Sequence, residues 1–205
     1  MNFDKDRLYH VYNQGNNRKK IFFTRENYLV FYKKIEIFIC PYADILAWCL
    51  MPNHFHFMLL VKETELSCEW ENTSDSACSQ TLNKSVFKKR TLNDSLGIML
   101  RSYTRIINAQ EGFTGSLFRK QTKANCIDAF KDLQPNFLKS KIAVFNMLPE
   151  NQYPGICFQY IHHNPVKSGL VEKDTDWEFS SARDYANLRS KSIVRREITE
   201  NYVDV

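Results

Sequence analysis

The sequence has no apolar run long enough to cross a membrane. A spanning helix needs about 20 consecutive apolar residues, and polar or charged side chains interrupt every hydrophobic stretch of this 205-residue chain before that length. The first residues, Met1 to Arg7, are too polar for a signal peptide. We therefore expect a cytoplasmic protein with no membrane partner. Its 43% apolar and 25% charged residues are typical of a globular chain.

Several cofactor motifs are also missing. The six cysteines are scattered without a Cys-x-x-Cys pair, a spacing that fits neither a zinc ribbon nor a dense disulfide framework. The chain contains no His-Glu-x-x-His sequence and no Walker loop. These absences argue against a closed structural zinc site, and they predict no nucleotide cofactor.

Acidic residues are scarce in one part of the chain. Residues 81–131 contain ten Lys and Arg against three Asp and Glu, a net charge of +7, whereas the whole chain has only +5. Residues 62–80 have the opposite balance, with one Lys against five acidic residues. A basic block in a nearly neutral chain favours a surface that faces a polyanion. A solvated helix face without any partner would have the same composition.

The order of apolar patterns predicts an α/β fold of the α+β type. It matches a ferredoxin-like split βαβ core, with a central antiparallel sheet and helices packed on it. Short apolar runs predict strands, helical spacing predicts helices, and Pro or Gly marks their ends. The predicted strands cover 8–14, 44–51, 54–61 and 117–127. The predicted helices lie between Thr24 and Pro41, over 93–110 and over 155–163, the last ended by Asn164-Pro165.

The domain organisation follows from the same patterns. We predict a catalytic domain over residues 1–130. Within it, 63–92 form an inserted loop or linker, because 63–80 are acidic and poor in core residues. Residues 131–205 are predicted to be a C-terminal helical extension packed on the same domain.

His54 and His56 lie on the predicted strand 54–61. Side chains two residues apart on a strand point to the same face, so both imidazoles leave one face while Phe55 and Phe57 leave the other. Adjacent buried imidazoles need partners, and a divalent metal is one of them. Two hydrogen-bonded structural histidines are the alternative. If a metal binds, this donor set favours an open Mg²⁺ or Mn²⁺ site over a closed zinc site.

Six motifs, taken in order, carry a resemblance to a known family. They are Tyr9-His-Val-Tyr-Asn-Gln-Gly-Asn-Asn17, Met51-Pro-Asn-His-Phe-His-Phe-Met-Leu-Leu-Val61, Ser102-Tyr-Thr-Arg-Ile-Ile-Asn108, Gly115-Ser-Leu-Phe118, Tyr160-Ile-His-His-Asn-Pro-Val-Lys-Ser-Gly-Leu-Val171 and Trp177-Glu-Phe-Ser-Ser181. Together they span nearly the whole chain. The set resembles the HUH single-tyrosine transposases, and among these the REP-associated tyrosine transposases.

The resemblance implies a transposase that nicks and rejoins single-stranded or hairpin DNA through a 5′-phosphotyrosine intermediate, in DNA transposition or the mobilisation of REP-like elements. It implies that Tyr103 is the nucleophile, that His54 and His56 bind Mg²⁺ or Mn²⁺, and that Asn108 is a third ligand. These roles require the helix that carries Tyr103 to pack over the histidine face of the sheet. Periodicity alone favours a core position for Tyr103, because it shares the apolar face of its helix.

Basic residues near the proposed nucleophile and after the Gly-Asn-Asn turn are the predicted DNA contacts. They are Arg18, Lys19, Lys20, Arg101, Arg105, Arg119, Lys120 and Lys123. The alternative function is a non-catalytic, domesticated DNA- or RNA-binding module of the same fold. Either a monomer or a homodimer is compatible with the sequence.

Overall fold

A four-stranded antiparallel sheet is the centre of the protein. The computed structural model describes residues 1–69, 87–128 and 152–205. The sheet is formed by β1 (Leu8–Gln14), β2 (Ala43–Met51), β3 (His54–Val61) and a short strand, Lys123–Cys126, which is β6 in chain order. A separate two-stranded sheet pairs β4 (Glu65–Glu69) with β5 (Phe87–Thr91).

Three long helices accompany the sheet within the described ranges. They are α1 (Arg25–Phe38), α2 (Leu92–Glu111) and α3 (Tyr153–Lys167), and two short helices follow, α4 (Ala182–Tyr185) and α5 (Arg196–Thr199). A search of the described helices for one both long and apolar enough to cross a membrane finds none.

The connectivity confirms the predicted ferredoxin-like core. The strand order in the sheet is β2-β3-β1-β6. Helix α1 connects β1 to β2, and α2 lies in the connection from β3 to β6. This arrangement is a split βαβ unit repeated once, the topology that the order of apolar patterns predicts.

Local sequence signals set the ends of the two core helices. A capping box of Thr24 with Asn27 begins α1, and one of Thr91 with Asp94 begins α2. Gly112 ends α2 with a φ of 66°, a left-handed conformation that costs glycine little. The starts and stops of α1 and α2 therefore follow from short-range chemistry.

The two faces of the sheet are covered by different helices. On one face, α1 and α2 bury a large apolar cluster that includes Phe31, Phe55, Phe57 and Tyr103. On the other face, α3 packs over β2 and β3 in a second cluster that contains Met58. The sheet is thus a middle layer, and its faces carry different chemistry.

Several predicted boundaries are corrected by the structure. Within the predicted loop or linker 63–92, residues 65–69 form strand β4 and 87–91 form strand β5, and 70–86 lie outside the described residues. Only 123–126 of the predicted strand 117–127 pair in the sheet. Helix α3 does not end at Asn164-Pro165 but continues to Lys167. It passes the proline because the Asn164 side chain donates back to the Tyr160 carbonyl and Ser168 N–H donates to the Asn164 carbonyl. The predicted domain division stays a prediction.

Candidate active site

Polar side chains gather on the face of the sheet that α3 covers. The register pairs Tyr12 with both His56 and Lys123, so these three side chains form a row across β3, β1 and β6. Gln14 lies opposite His54 in the same ladder. Because directly opposed residues point to the same side of a sheet, the prediction that both histidines leave one face is confirmed.

A cavity of about 320 Å³ opens on this face, and we call it the histidine cavity. Its lining residues are Tyr12, Asn13, Gln14, His54, His56, Arg119, Gln121, Lys123 and Tyr160. Arg119 and Lys123 are exposed at its rim. No carboxylate of the described residues lines it. The balance of charge therefore suits an anionic ligand.

His56 is buried, with one ring nitrogen engaged and the other unpaired. Its Nδ1 lies 2.9 Å from Nε2 of His10, and the two rings stack. The exposed fractions are 4% for His56 and 1% for His10. Among the described residues, nothing hydrogen bonds to Nε2 of His56. A buried unpaired nitrogen is costly, so a ligand at that position would relieve a real penalty.

His54 has its Nδ1 engaged in the same way. This nitrogen lies 2.5 Å from Oδ1 of Asn53. Because an amide oxygen can only accept, Nδ1 carries the proton in this contact and Nε2 carries the lone pair. Histidines that ligate metals generally donate their second ring nitrogen to a neighbouring acceptor. His56 meets the same condition when its Nδ1 carries the proton of its contact with Nε2 of His10.

Burial keeps the three imidazoles of this face neutral. It lowers the pKa of His10 to about 3 and that of His54 to about 4, and the nearby Asn164 side chain opposes the effect at His54. The pKa of His56 lies well below its ordinary value, because of burial first and then of the neighbouring His10 and His54. Neutral imidazoles offer the lone pairs that a cation needs.

Tyr160 approaches the histidines from α3. Its ring stands edge-on to His56 with ring centroids 5.4 Å apart, and to His10 at 5.9 Å. Asn164 lies one helical turn later, and its amide donates to the Tyr160 carbonyl at 2.8 Å. Its side chain acts on the pKa of both the Tyr160 phenol and the His54 imidazole. Burial raises the pKa of Tyr160, and the bond to Asn164 works against this rise. One residue thus connects the phenol to the histidine pair.

The donors at this site fit an open metal site. No group of three or more His, Cys, Asp and Glu in the described part of the chain is arranged to hold a metal. His54 and His56 instead offer imidazole nitrogens beside the Asn164 amide, whose oxygen is a ligand type that Mg²⁺ and Mn²⁺ accept. The unpaired Nε2 of His56 supports this assignment. Water and phosphate oxygens would complete such a site.

The predicted position of Tyr103 is wrong. Helix α2 packs on the Phe55 and Phe57 face of the sheet, not on the histidine face. Tyr103 is 0% exposed, and its hydroxyl donates to the Ile21 carbonyl at 2.8 Å. Burial raises its pKa. The sheet separates this phenol from the histidines, because the long apolar stripe of α2 pairs with the more apolar face.

Asn108, the predicted third ligand, also lies away from the histidines. Its amide donates to the Gly115 carbonyl at 2.9 Å. It lines a separate cavity of about 440 Å³ together with Lys19 and Lys20. Like Tyr103, it belongs to α2, and therefore the structure does not bring it to the histidine face. Asn164, by contrast, lies on α3, the helix that covers the histidine face.

The predicted DNA contacts fall into separate groups. All eight are exposed, and none of them takes part in a salt bridge between described residues. Arg119 and Lys123 line the histidine cavity. Arg101 and Lys120 line a neighbouring groove with them. Lys19 and Lys20 line the Asn108 cavity, and Arg18 and Arg105 line none of these three.

Sequence reasoning missed His10, Tyr160 and Asn164. A signal for two of them was present, because a tyrosine followed by a polar residue four positions later places both side chains on one helix face. Tyr160 and Asn164 have this spacing, whereas Tyr103 is followed at that distance by Ile107. His10 carries no such signal, since its contact with His56 depends on strand register.

Comparisons with known proteins give a similarity of structure but none of sequence. No protein-family model matches the chain, and no curated protein matches it. The fold is similar to a solved structure described as "Structure of the REP associates tyrosine transposase bound to a REP hairpin". The TM-score is 0.47 at 16% sequence identity, and the match covers 96% of this chain and 95% of that chain. At this identity and TM-score, the similarity by itself assigns neither a family nor an activity.

Proposed function

We propose that the protein is a transposase or related DNA strand transferase that cuts single-stranded DNA with Tyr160 as the nucleophile. The observation that carries this proposal is the meeting of a phenol and two neutral imidazoles at one cavity with a basic rim, with Asn164 one helical turn after the phenol. Each part has a use in phosphodiester cleavage. The resemblance of the sequence motifs to HUH single-tyrosine transposases supports the same chemistry.

Tyr160 is favoured over the other tyrosines by its position. Tyr103 lies on the opposite face of the sheet with its hydroxyl bonded to the Ile21 carbonyl. Tyr12 lines the cavity, but its ring stacks on His10 with centroids 4.8 Å apart. Tyr160 lines the same cavity, and its ring stands edge-on to His56 with centroids 5.4 Å apart, so its phenol lies beside the histidine pair.

The proposed reaction is an in-line displacement at phosphorus. The Tyr160 oxygen attacks the scissile phosphate, and the bond from phosphorus to the 3′ oxygen breaks. The products are a 5′-phosphotyrosine and a strand with a free 3′-hydroxyl. Because no carboxylate of the described residues lines the cavity, the phenolic proton leaves to water and the leaving oxygen gains a proton from water. Attack by a 3′-hydroxyl on the phosphotyrosine reverses these steps and rejoins DNA.

A divalent cation is part of this proposal, with His54, His56 and Asn164 as its protein ligands. A bound Mg²⁺ or Mn²⁺ would neutralise charge on the phosphate and favour the ionised form of a nearby phenol. The chain contributes the remaining effects. Asn164 orients the phenol, and Arg119 and Lys123 draw the phosphate into the cavity.

The proposal is tested by trapping the covalent product. A random-sequence pool of single-stranded DNA, labelled at its 3′ end, is incubated with the protein and Mn²⁺. The labelled strand carries the 5′-phosphate, so the expected product is a protein–DNA adduct that survives a denaturing gel. Tyr160→Phe should abolish it, and EDTA should suppress it in the unsubstituted protein.

The matched control is Tyr12→Phe, which removes a second phenol from the same cavity and should retain the adduct. Loss of the adduct in Tyr12→Phe, with retention in Tyr160→Phe, would move the nucleophile to β1. If unsubstituted protein binds DNA but forms no adduct in any divalent metal, the alternative of a non-catalytic binding module is correct.

A further inference from the structure

The histidine cavity continues into a larger groove around the edge of the sheet. The groove measures about 620 Å³ and lies between α2 and the segment that leads into β6. We call it the β6 groove. Its polar and charged lining includes Asn13, Arg101, Arg119, Lys120, Gln121 and Lys123. Four of its lining residues also line the histidine cavity, namely Asn13, Arg119, Gln121 and Lys123.

The groove passes from one face of the sheet to the other. Lys123 is paired with Tyr12 and points to the histidine face. Leu96 and Leu100, on the far wall of the groove, belong to the core on the opposite face. Strand β6 has only four residues, so a ligand leaving the histidine cavity reaches α2 by passing around a short sheet edge.

The backbone that carries the basic side chains is fixed. The Asn13 amide donates to the Arg119 carbonyl at 3.2 Å and to the Thr122 hydroxyl at 2.9 Å. The Arg119 N–H donates to the Gln14 carbonyl at 2.9 Å. This strand-anchored segment presents Arg119 and Lys120 to solvent in a defined place, which reduces the entropy lost on binding.

The charge of the groove is strongly positive. Four basic residues line it, Arg101, Arg119, Lys120 and Lys123, against the single carboxylate of Asp94. That carboxylate is engaged in the capping box of α2, where it accepts from the Thr91 hydroxyl at 2.7 Å. The groove thus offers cationic donors to a chain of phosphates.

Apart from Met1, the large apolar side chains of the groove wall are buried, which limits base stacking. Leu96, Leu100 and Phe118 are each at most 8% exposed. A groove of exposed cations without an exposed aromatic wall contacts the backbone of a nucleic acid and not its bases. The recognition it provides is therefore independent of sequence.

We infer that the β6 groove holds the single-stranded DNA that flanks the scissile phosphate on one side. This inference rests on the proposed function, since it takes the histidine cavity as the point of cleavage. The flank leaves the cavity past Arg119 and Lys123 and then follows Lys120 and Arg101 along α2. The groove thereby sets the direction in which the strand lies across the active site.

Binding of oligothymidines by fluorescence anisotropy tests the inference, in EDTA so that no cleavage occurs. Oligomers of about 4 and about 16 nucleotides bracket the site sizes of single-strand binding folds. Lys120→Glu should weaken binding of the long oligomer about tenfold and reduce its salt slope by about one. It should affect the short oligomer little.

The matched control is Lys191→Glu, an exposed lysine beside the opposite edge of the sheet, near the contact of Ile45 with Val194. It should bind both oligomers like the unsubstituted protein. Equal effects of Lys120→Glu and Lys191→Glu would overturn the inference. The inference would also be overturned if the unsubstituted protein bound an acidic peptide as tightly as the long oligothymidine. The groove would then be a protein-binding surface.

A second measurement needs no variant. Neutral methylphosphonates placed on one flank of a cleavable strand should weaken binding, and the same groups on the other flank should have less effect. If methylphosphonates weakened binding equally on either flank, the inference that only one flank lies in the groove would be contradicted. Adduct formation without length-dependent binding would refute the groove alone, whereas length-dependent binding without any adduct would refute the cleavage proposal alone.

Discussion

Removal of the Tyr103 hydroxyl distinguishes a structural role from a catalytic one. In Tyr103→Phe, the hydrogen bond to the Ile21 carbonyl at 2.8 Å is lost. Tyr103 and Ile21 are both 0% exposed. The Ile21 carbonyl therefore loses its hydrogen-bond donor where water does not replace it. Loss of a buried hydrogen bond costs about 1–3 kcal/mol. For a chain of this size, each kcal/mol lowers the melting temperature by about 2–4 °C.

The assay combines thermal unfolding with adduct formation. Tyr103→Phe should melt at a lower temperature and still form the covalent adduct when assayed well below that temperature. Tyr160→Phe should behave in the opposite way, with a smaller change in melting temperature and no adduct, because Tyr160 is only partly buried. If Tyr103→Phe abolishes the adduct while its melting temperature is unchanged, the assignment of the chemistry to the α3 face is wrong.

Two further predictions concern histidines. His10→Leu should lower Mn²⁺ affinity about 10- to 100-fold, since it removes the acceptor for Nδ1 of His56, whereas His10→Gln should restore part of it; equal losses by calorimetry would contradict this role. Burial lowers the pKa of His162, whose Nε2 bonds to Ser181, from 6.5 to about 3. Between these values only the unfolded state binds this proton, so His162 alone should make stability fall with acidification by about 1.4 kcal/mol per pH unit. In denaturant titrations His162→Gln should reduce the pH slope of the unfolding free energy by this amount, and the exposed His163→Gln should leave the slope unchanged.

The core topology could be predicted because its signals are local. Strand β1 covers 8–14 as predicted, since its apolar run is ended by a turn. The alternation of β3 places His54 and His56 on one face, because the side-chain period of a strand is two. These features require no knowledge of what packs above the sheet.

Which helix covers each face of the sheet was harder to predict. Strand β3 is buried on both faces, so its pattern alone does not say which helix covers which face. One clue was available, because Phe55 and Phe57 make their face more apolar than the face of the two histidines. The strong apolar stripe of α2 pairs with that face. Assigning α2 to the histidines therefore placed Tyr103 on the wrong side of the sheet.

The cavity itself depends on contacts between distant parts of the chain. His10 and His56 meet through strand register, and Tyr160 arrives on a helix about 100 residues after His56. Such long-range contacts are not visible as a periodicity. What the sequence did contain was the spacing of Tyr160 and Asn164, which is a local signal for a shared helix face.

The position of α3 late in the chain has a consequence during protein synthesis. A ribosome releases the histidine strand long before it completes the helix that bears Tyr160, and domains generally begin to fold from their N-terminal parts. A nascent chain therefore holds His54 and His56 but neither Asn164, the third proposed metal ligand, nor the attacking oxygen. Under the proposed mechanism, a chain whose translation stops before α3 cannot cleave DNA, because it lacks the Tyr160 nucleophile.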